Sequence, residues 1–467
     1  MFSIDLTRKS EISIKRQIYM AFRDQILRGK LLAGDPLLST RELAVQIHVS
    51  RNTVCEAYDM LITEGFISSH QGAPSRVAEG LRIDHPLTSA LPRPEKTIQP
   101  SYAADFKTGQ PDLRQFPQYL WKRIIHKTSD GLPTDRFGYG DPQGMEELRT
   151  EIASWLFRSK GLDVDKTDIF ITSGATQALH IIVNLLGRYK KKIAIEDPCN
   201  KGIMQIFADA NCQLEPISVD DNGIRTKLLK KVDICAAYVT PSHQFPLGGI
   251  LPATRRTELI DYAEKNGIYI VEDDYDSEFR YKGEPIAPLY AMSPGRIIYV
   301  GTFSKVLFPA IRVGYVILPR ELQTQWKELR LHTDVQNPPF EQAALAEFLR
   351  TRKFDSHIRK MRKLYGKRRE ILLEALKSNF GDTWRPCGDN AGLHIAIEFP
   401  GIDFDADFLE KCTTHGIRIS TIEDHSIIKG RHLQKLLIGY GHLEPAEILQ
   451  GVSLLKPLIR GIRVKRT

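Results

Sequence analysis

Five short runs rich in β-branched residues recur along the middle of the chain and alternate with segments of helical periodicity. The runs are DIFIT at 168–172, KIAIE at 192–196, ICAAYV at 234–239, IYIVE at 268–272 and IIYVG at 297–301. Strand and helix patterns in alternation are typical of a mainly parallel sheet with helices on both faces. The pattern therefore predicts an α/β domain for the larger part of the chain.

The flanking regions have other patterns. Residues 80–104 are rich in proline and show no sustained helix or strand period, which predicts an interdomain linker. The last hundred residues alternate more loosely, with candidate strands LHIAIEF and KLLIGY, and predict a small C-terminal α+β subdomain at about 350–467. The predicted chain is thus multidomain, with a mainly α domain at 1–79, the linker at 80–104 and the α/β domain at 105–467.

Three helices are predicted within the first 79 residues. An apolar residue at every fourth position from Ile14 to Ile26 predicts a helix near 12–28. Ser39 and Glu42 have the spacing of a capping box and predict the start of a short second helix. Ser50 can cap a third helix. The third helix is predicted to bury Val54, Ala57, Leu61 and Ile62.

The first turn of the third helix carries Arg51, Asn52 and Thr53, which are suited to phosphates and base edges when a recognition helix enters the major groove. A small helical domain with solvated polar faces is the alternative. The segment STRELAVQIHVSRNTVCEAYDMLITEGFI, however, resembles the winged helix-turn-helix of the GntR family, although Leu38 replaces a usual proline and the wing at 69–77 lacks the usual glycine-serine-glycine run. The resemblance implies binding of double-stranded operator DNA through Ser39, Thr40, Arg41, Ser50, Arg51, Asn52 and Thr53.

Three loops that follow predicted strands carry groups suited to a ligand, and ligands of open α/β sheets bind beyond the carboxyl ends of strands. SGATQ at 173–177 opens a helix whose amides could hold a phosphate. EDDYD at 272–276 places carboxylates just past a buried strand. GTFSK at 301–305 ends in a lysine, with Arg312 seven residues further on. Each loop alone is also compatible with an ordinary turn, surface acids or a surface amine.

Together and in this order, the three loops resemble the core of fold-type I pyridoxal-phosphate enzymes. The resemblance implies that Lys305, the one catalytic candidate, holds pyridoxal 5′-phosphate as an aldimine and that Asp273 pairs with the pyridinium nitrogen. It also implies that Tyr275 donates to the ring oxygen. The remaining cofactor-binding candidates are Gly174, Ala175, Thr176, Ser304 and Arg312 for the phosphate, and His243 in the segment SHQFPLGG.

With a GntR-type module in front, residues 12–455 resemble the MocR family of bacterial transcription regulators. The likeness includes FGYGDPQGMEELR and TPSHQFPLGGILPATRR. It implies an aminotransferase-like domain that is used for sensing rather than for turnover. It also implies a homodimer, so operator half-sites should be paired.

Three positions depart from the aminotransferase pattern. Phe245 stands where asparagine is common, and Asn200 where GabR-type regulators have a ring-stacking aromatic residue. His442 stands where GabR-type regulators and aminotransferases use an arginine for the carboxylate of an amino acid. Loss of this charge-assisted pair costs on the order of 2 kcal/mol. Arg418 or Arg431 taking over the role is an alternative that the sequence leaves open.

Three hypotheses for the function follow. In the first, pyridoxal phosphate at Lys305 alone changes operator affinity, as the resemblance to PdxR-type regulators of pyridoxal-phosphate synthesis implies. In the second, a GabR-type regulator senses the cofactor together with an amino acid. In the third, the chain is a working aminotransferase.

Composition narrows the setting without deciding among these hypotheses. No apolar run approaches the roughly 18 residues of a membrane span, and the start lacks a signal-peptide pattern, so we expect a cytoplasmic protein without a membrane role. Six scattered cysteines indicate neither disulfides nor a metal site. The net charge is +8, yet residues 1–80 hold ten Lys/Arg and nine Asp/Glu. A DNA-binding surface there depends on arrangement rather than on net charge.

Overall fold

The computed structural model describes residues 6–70, 73–80, 101–187, 192–281, 283–284, 286–388 and 391–462. The chain divides into two compact units, Met1–Gln99 and Pro100–Thr467. Most of the predicted linker, residues 81–100, lies outside the described residues, as do residues 71–72 of the predicted wing. No helix of the described residues is long and apolar enough to cross a membrane.

The N-terminal unit is a winged helix-turn-helix, as predicted. It contains α1 (Ile14–Leu27), α2 (Thr40–Gln46), α3 (Arg51–Thr63) and an antiparallel pair of strands, β1 (Ile67–Ser68) and β2 (Arg76–Val77). The predicted capping box opens α2: Ser39 Oγ accepts a hydrogen bond from the Glu42 amide at 3.2 Å, and Glu42 Oε2 accepts one from the Ser39 amide at 3.0 Å.

One predicted core residue of α3 is wrong. Ile62 is 40% exposed, whereas Tyr58 is buried. Positions 54, 57, 58 and 61 follow the spacing of a single helical face, and Ile62 lies just beyond it. The Tyr58 hydroxyl donates to the Leu38 carbonyl at 2.8 Å, which satisfies the polar end of this buried aromatic side chain. Tyr58, and not the predicted Ile62, therefore completes the buried face of α3.

The C-terminal unit combines a large mixed sheet with a smaller antiparallel one. Its helices are α4 (Gln118–Asp130), α5 (Glu146–Lys160), α6 (Ala175–Leu186), α7 (Lys201–Asp209), α8 (Ala253–Asn266), α9 (Arg320–Leu331), α10 (Pro339–Arg350), α11 (Lys353–Phe380), α12 (Ala406–Thr414) and α13 (Pro445–Arg460). Its strands are β3 (Ala104–Asp105), β4 (Ile169–Thr172), β5 (Lys192–Asp197), β6 (Gln213–Asp220), β7 (Gly223–Ile224), β8 (Ala236–Val239), β9 (Tyr269–Asp274), β10 (Ile297–Thr302), β11 (Gly314–Ile317), β12 (Arg385–Cys387), β13 (His394–Glu398), β14 (Ile417–Arg418), β15 (Ser420–Thr421) and β16 (Lys435–Gly439).

The large sheet has the strand order β4-β11-β10-β9-β8-β5-β6-β7. The five predicted strands are all present, and β5, β8, β9 and β10 run parallel to one another. The sequence did not predict β6 or β11. Strand β11 runs antiparallel between β10 and β4, so β10 and β4 are parallel to each other and end at the same edge of the sheet.

The small sheet has the order β12-β13-β16-β15 and is antiparallel throughout. Its core packs against α11, α12 and α13. The first strand of the unit, β3, pairs in parallel with β14, and Phe106 lies in the same core. The beginning of the C-terminal unit is therefore built into the subdomain formed by its end.

Candidate functional site

The three loops singled out from the sequence meet at one edge of the large sheet. Gly314 of β11 pairs with Thr172 at the end of β4 and with Thr302 at the end of β10. Asp274 at the end of β9 pairs with Gly301 of β10. Because strands β4, β9 and β10 all end at this edge, the chain segments that follow them lie side by side.

Lys305 occupies a confined place in the loop after β10. Its Nζ donates to the Gly109 carbonyl at 2.7 Å. Gly109 has φ +67°, a backbone conformation that favours glycine, and a Cβ built there would lie 2.7 Å from the same Nζ and displace it. Burial lowers the pKa of Lys305, while the negative charges of Asp276 and Asp273 act in the opposite direction. A lowered pKa favours the neutral amine, which is the nucleophilic form of lysine.

Asp273 is a buried carboxylate with one unsatisfied oxygen. Its Oδ2 accepts a hydrogen bond from the Tyr238 hydroxyl at 2.6 Å, but its Oδ1 has no hydrogen-bond partner among the described residues. Burial raises the pKa of Asp273 to about 6. A buried carboxylate is stabilised chiefly by a cationic partner, and the protonated ring nitrogen of pyridoxal phosphate is such a partner. This oxygen therefore fits the predicted cofactor.

We expect Asp273→Asn to stabilise the cofactor-free protein near neutral pH. Folding raises this pKa from its ordinary 3.8 to about 6, so between these values the folded chain holds a proton that the unfolded chain has lost. Ionisation of Asp273 therefore destabilises the fold progressively as the pH rises from 3.8 to about 6, and the destabilisation is complete above that value. The expected gain is about 3 kcal/mol at pH 7 and close to zero below pH 4.

Urea unfolding of the cofactor-free variant and wild type across this pH range measures the difference in the free energy of unfolding. The exposed aspartate variant Asp382→Asn is the control and should show no such difference. A gain for Asp273→Asn that is the same at pH 4 and pH 8 would show that ionisation of Asp273 is not its source.

Tyr275 and His243, two of the cofactor-binding candidates, are in contact, and a carboxylate joins them. The Tyr275 hydroxyl donates to the His243 carbonyl at 3.0 Å and lies 3.0 Å from His243 Nδ1. The same Nδ1 lies 2.9 Å from Asp276 Oδ1, and both of these side chains are buried. His243 Nε2 has no partner among the described residues. The sequence analysis assigned no role to Asp276, although it ends the motif EDDYD.

The predicted phosphate ligands converge on the turn after β4. Gly174 precedes α6 with φ +90°, and a Cβ there would lie 3.3 Å from both terminal nitrogens of Arg312. Arg312 itself has φ +48° and donates to the Ser173 carbonyl, so its guanidinium covers the start of the helix. The free amides of a helix start and a guanidinium together form an anion site. The residues gathered there are Gly174, Ala175, Thr176 and Arg312, with Ser304 in the loop that leads from β10 to β11.

A buried network that the sequence did not predict fixes this turn. The fully buried Arg330 donates to the Ile171 carbonyl and, at 2.6 Å, to Asn337 Oδ1. Asn337 Nδ2 in turn donates to Ser173 Oγ at 3.1 Å. Arg330 lies in α9, far from the turn in sequence, and nothing in the local pattern distinguishes it from a surface arginine. The network holds Ser173 in position at the turn after β4.

The C-terminal subdomain contributes a histidine that the sequence analysis missed. His394 at the start of β13 is buried, and its ring centroid lies 5.1 Å from the rings of both His243 and Phe245. Its Nε2 has no partner among the described residues. Burial holds the pKa of His394 well below its ordinary value, so the ring is neutral. His394 therefore adds a polar but uncharged side chain beside His243.

His442, which replaces the expected arginine, and the alternative anchors Arg418 and Arg431 have other contacts. The carbonyl of His442 accepts a hydrogen bond from Arg114, and burial lowers the pKa of the His442 ring. Arg418 lies 3.7 Å from Asp105, and Arg431 donates to Ser218 Oγ at 2.7 Å. These contacts tie both arginines to groups outside the three loops around Lys305.

The predicted DNA-contact residues lie where the starts of α2 and α3 meet. Arg51 Nε donates to Thr40 Oγ1 at 3.4 Å, which joins the two helix starts. Ser50 Oγ accepts from the Thr53 amide at 3.1 Å, so this hydroxyl serves as a helix cap, as Ser39 does for α2. Arg41, Arg51 and Asn52 are exposed. All seven predicted residues, Ser39, Thr40, Arg41, Ser50, Arg51, Asn52 and Thr53, thus belong to these two helix starts.

The fold and the site define the class of protein. The family model "Aminotransferase class I and II" matches residues 104–429, and the model "Bacterial regulatory proteins, gntR family" matches residues 14–77. A kynurenine aminotransferase structure from Pyrococcus horikoshii is 25% identical, with a TM-score of 0.71, and the match covers 78% of this chain and 91% of that one. The chain therefore combines a GntR-type winged helix with a fold-type I aminotransferase fold.

Curated relatives share this combination. The regulator YhdI of Bacillus subtilis is 34% identical, and the match covers 97% of both chains. A protein of Rhizobium meliloti named "Probable rhizopine catabolism regulatory protein MocR" is 29% identical over 97% of this chain and 94% of its own. PdxR of Corynebacterium glutamicum, a pyridoxine biosynthesis regulator, is 32% identical over 84% of this chain and 85% of its own. The chain belongs to the MocR family of HTH-type transcriptional regulators.

Proposed function

We propose that pyridoxal phosphate is the effector of this transcriptional regulator and that it binds at Lys305. The observation that carries the proposal is the buried, unpartnered Oδ1 of Asp273 at the sheet edge from which Lys305 also extends. When bound, the cofactor supplies an aldehyde that an amine can hold and a ring nitrogen that carries a proton. The likeness to PdxR, named for pyridoxine biosynthesis, supports the same ligand and genes of its synthesis as targets.

Each residue of the site has a distinct part in this proposal. Lys305 holds the ligand covalently, since burial favours its neutral amine. Asp273 keeps the ring nitrogen protonated. The Tyr275 hydroxyl, which donates to the His243 carbonyl in the cofactor-free chain, turns its single proton to the ring oxygen when the cofactor binds. The start of α6 and Arg312 bind the phosphate. These groups bind and orient the ligand, and none of them needs a second substrate.

The surroundings favour sensing of the cofactor alone over sensing of an amino acid or transamination. Recognition of an amino-acid carboxylate typically uses an arginine with two parallel hydrogen bonds. Here the side chains around His243 are the carboxyl group of Asp276, the Phe245 ring and the neutral His394, and Arg418 and Arg431 are bound elsewhere. None of Asp276, Phe245 and His394 supplies a positive charge that would favour binding of a carboxylate.

We further propose that the chain acts as a homodimer. Tyr139 is 91% exposed, Phe137 is 56% exposed, and the Phe137 ring contacts that of Phe340 at a centroid distance of 5.8 Å. Exposed aromatic residues that are clustered in this way mark protein interfaces. Tyr139 lies in the motif FGYGDPQG, next to Gly140, whose amide donates to Gln336 Oε1. Gln336 precedes Asn337, which donates to Ser173 in the turn after β4. The exposed aromatic residues therefore lie near this turn.

DNA affinity measured with and without the cofactor tests the proposed function. Duplexes that bind the cofactor-free protein are selected from a random pool, and affinity for them is measured with no ligand, with pyridoxal phosphate and with pyridoxal phosphate plus amino acids. We expect pyridoxal phosphate alone to change the affinity, and amino acids to add nothing. A change that appears only when an amino acid is added would support the GabR-type alternative and contradict sensing of the cofactor alone.

A further inference from the structure

The surplus positive charge of the chain is concentrated on one helix of the aminotransferase-like unit. Residues 1–80 carry a surplus of one, from ten Lys/Arg and nine Asp/Glu, whereas the whole chain carries +8. Helix α11 alone has nine Lys/Arg and three Asp/Glu. Excess charge on a surface is an argument about association rather than about fold. DNA binding by the winged helix therefore does not account for the positive charge on α11.

The basic side chains of α11 occupy its solvent-facing side. The helix buries an apolar stripe that includes Phe354, Ile358, Met361 and Tyr365. The side chains outside this stripe in its first four turns are mostly basic and exposed, namely Lys353, Arg359, Lys360, Arg362, Lys363 and Lys367. At 100° per residue these six span about half of the helix circumference, a sector that also contains Asp355 and Ser356. We call this surface the basic face of α11.

Most of these basic side chains have no partner of opposite charge among the described residues. Lys360, Lys363 and Lys367 form no ion pair with the described residues. Asp355, the acidic residue in this part of the helix, lies 3.5 Å from Arg158 and 3.9 Å from Arg352. Like charges three and four residues apart destabilise a helix. The basic face therefore does not serve the stability of α11.

The basic face continues onto α4. Lys353 lines a shallow cavity of about 880 Å³ together with Lys122 and Arg123 of α4 and with Tyr119, which is 76% exposed. Along α11 itself, Lys353 and Lys367 are about 21 Å apart at a rise of about 1.5 Å per residue. This length corresponds to about six base-pair steps of B-form DNA at about 3.4 Å each. The surface thus has the dimensions of a segment of duplex backbone.

We propose that the basic face of α11 binds the phosphate backbone of DNA outside the sequence that the winged helix recognises. The inference rests on the proposed function in one respect, that the chain binds DNA. DNA held by the winged helix is tethered to this unit, which raises its effective concentration there. No large apolar side chain is exposed on α11 among the described residues, and protein interfaces are usually poor in lysine. An ionic backbone contact fits this surface better than a protein contact.

The test compares two triple variants of the full chain on two duplexes. The first carries Lys360→Gln, Lys363→Gln and Lys367→Gln on the basic face. The control carries Lys227→Gln, Lys265→Gln and Lys429→Gln, which removes the same charge from exposed positions outside α11. One duplex contains only the selected recognition sequence, and the other adds long flanks on both sides. Affinity is measured over a range of salt concentrations, and thermal unfolding checks that both variants fold.

We expect the first variant to bind the long duplex at least about tenfold more weakly than the control at low salt. The slope of log affinity against log salt should fall by about 0.9 for each phosphate contact that is lost, so by close to three. Binding of the short duplex should not change. Equal affinity and slope for the two variants on the long duplex would overturn the inference, and so would an equal loss on both duplexes.

Two further outcomes separate the inference from the proposed function. If wild-type protein bound neither duplex, the proposed function itself would fail. If both variants bound DNA equally but only the first reduced transcription from a reporter, the basic face would serve an acidic protein partner, and the DNA contact would be excluded.

Discussion

Lys305→Ala should lose all covalent attachment of pyridoxal phosphate. The visible absorbance that the cofactor gives to wild-type protein should disappear, and no cofactor should remain on the chain after borohydride treatment and denaturation. The reason is that alanine removes the amine whose pKa is lowered by burial and which the Gly109 carbonyl holds in place. DNA affinity without cofactor should stay within about twofold of wild type, while its response to cofactor should be lost.

Lys107→Ala is the matched control for this prediction. Lys107 is an exposed lysine whose positive charge contributes to lowering the pKa of Lys305. Its removal tests whether this neighbouring amine, rather than Lys305, carries the cofactor. It should retain full attachment of the cofactor. Peptide mapping of the reduced protein then identifies the modified lysine. Cofactor found on any residue other than Lys305 in wild-type protein would refute the assignment of the site.

Arg51→Ala should weaken DNA binding by about 1–3 kcal/mol, which corresponds to about 5- to 150-fold in affinity. Arg51 is exposed in the first turn of α3, and its Nε contacts Thr40 at the start of α2, so the side chain lies where two helix starts face outward. A contact to a base edge would also relax sequence preference at one position, whereas a phosphate contact would weaken binding to all sequences equally. Affinity for the selected duplexes and for single-position variants distinguishes the two contacts.

Arg28→Ala provides the comparison, because Arg28 is an exposed arginine at the end of α1. It removes the same charge from the same unit, away from the starts of α2 and α3. We expect its effect to be limited to a small change in salt dependence. Equal losses for Arg51→Ala and Arg28→Ala would mean that only the net charge matters, and the recognition-helix interpretation would then be wrong.

The sequence predicted the elements of the fold where a local period or cap defines them. The buried parallel strands are continuous apolar runs between helical segments, and the capping box at Ser39 is a local hydrogen-bond pattern. Strand β11 has four residues, and antiparallel insertion between β10 and β4 depends on pairing that the local sequence does not encode. Tyr58 is buried in place of the predicted Ile62 because of the way α3 packs against its neighbours, which the composition of α3 does not determine.

For the candidate site, the sequence singled out residues with recognisable chemistry at or just after the end of a strand. Tyr275, Lys305 and Arg312 lie in loops, whereas Asp273, expected just past its strand, lies within the last two residues of β9. The residues that support the site depend on tertiary contacts instead. Arg330 and Asn337 lie about 160 residues from the turn that they hold, and His394 belongs to another sheet. Long-range hydrogen bonds of this kind leave no period or motif in a single sequence.

The raised pKa of Asp273 also has a consequence for binding equilibria. In the cofactor-free chain this carboxyl holds a proton below about pH 6, and it must be ionised to pair with a protonated ring nitrogen. Binding in acid therefore releases a proton, so the apparent affinity should fall by up to about tenfold per pH unit below that value, and the binding heat should vary with the ionisation enthalpy of the buffer. A fall in pH would then lower the fraction of the regulator that holds the ligand, just as a shortage of the ligand does.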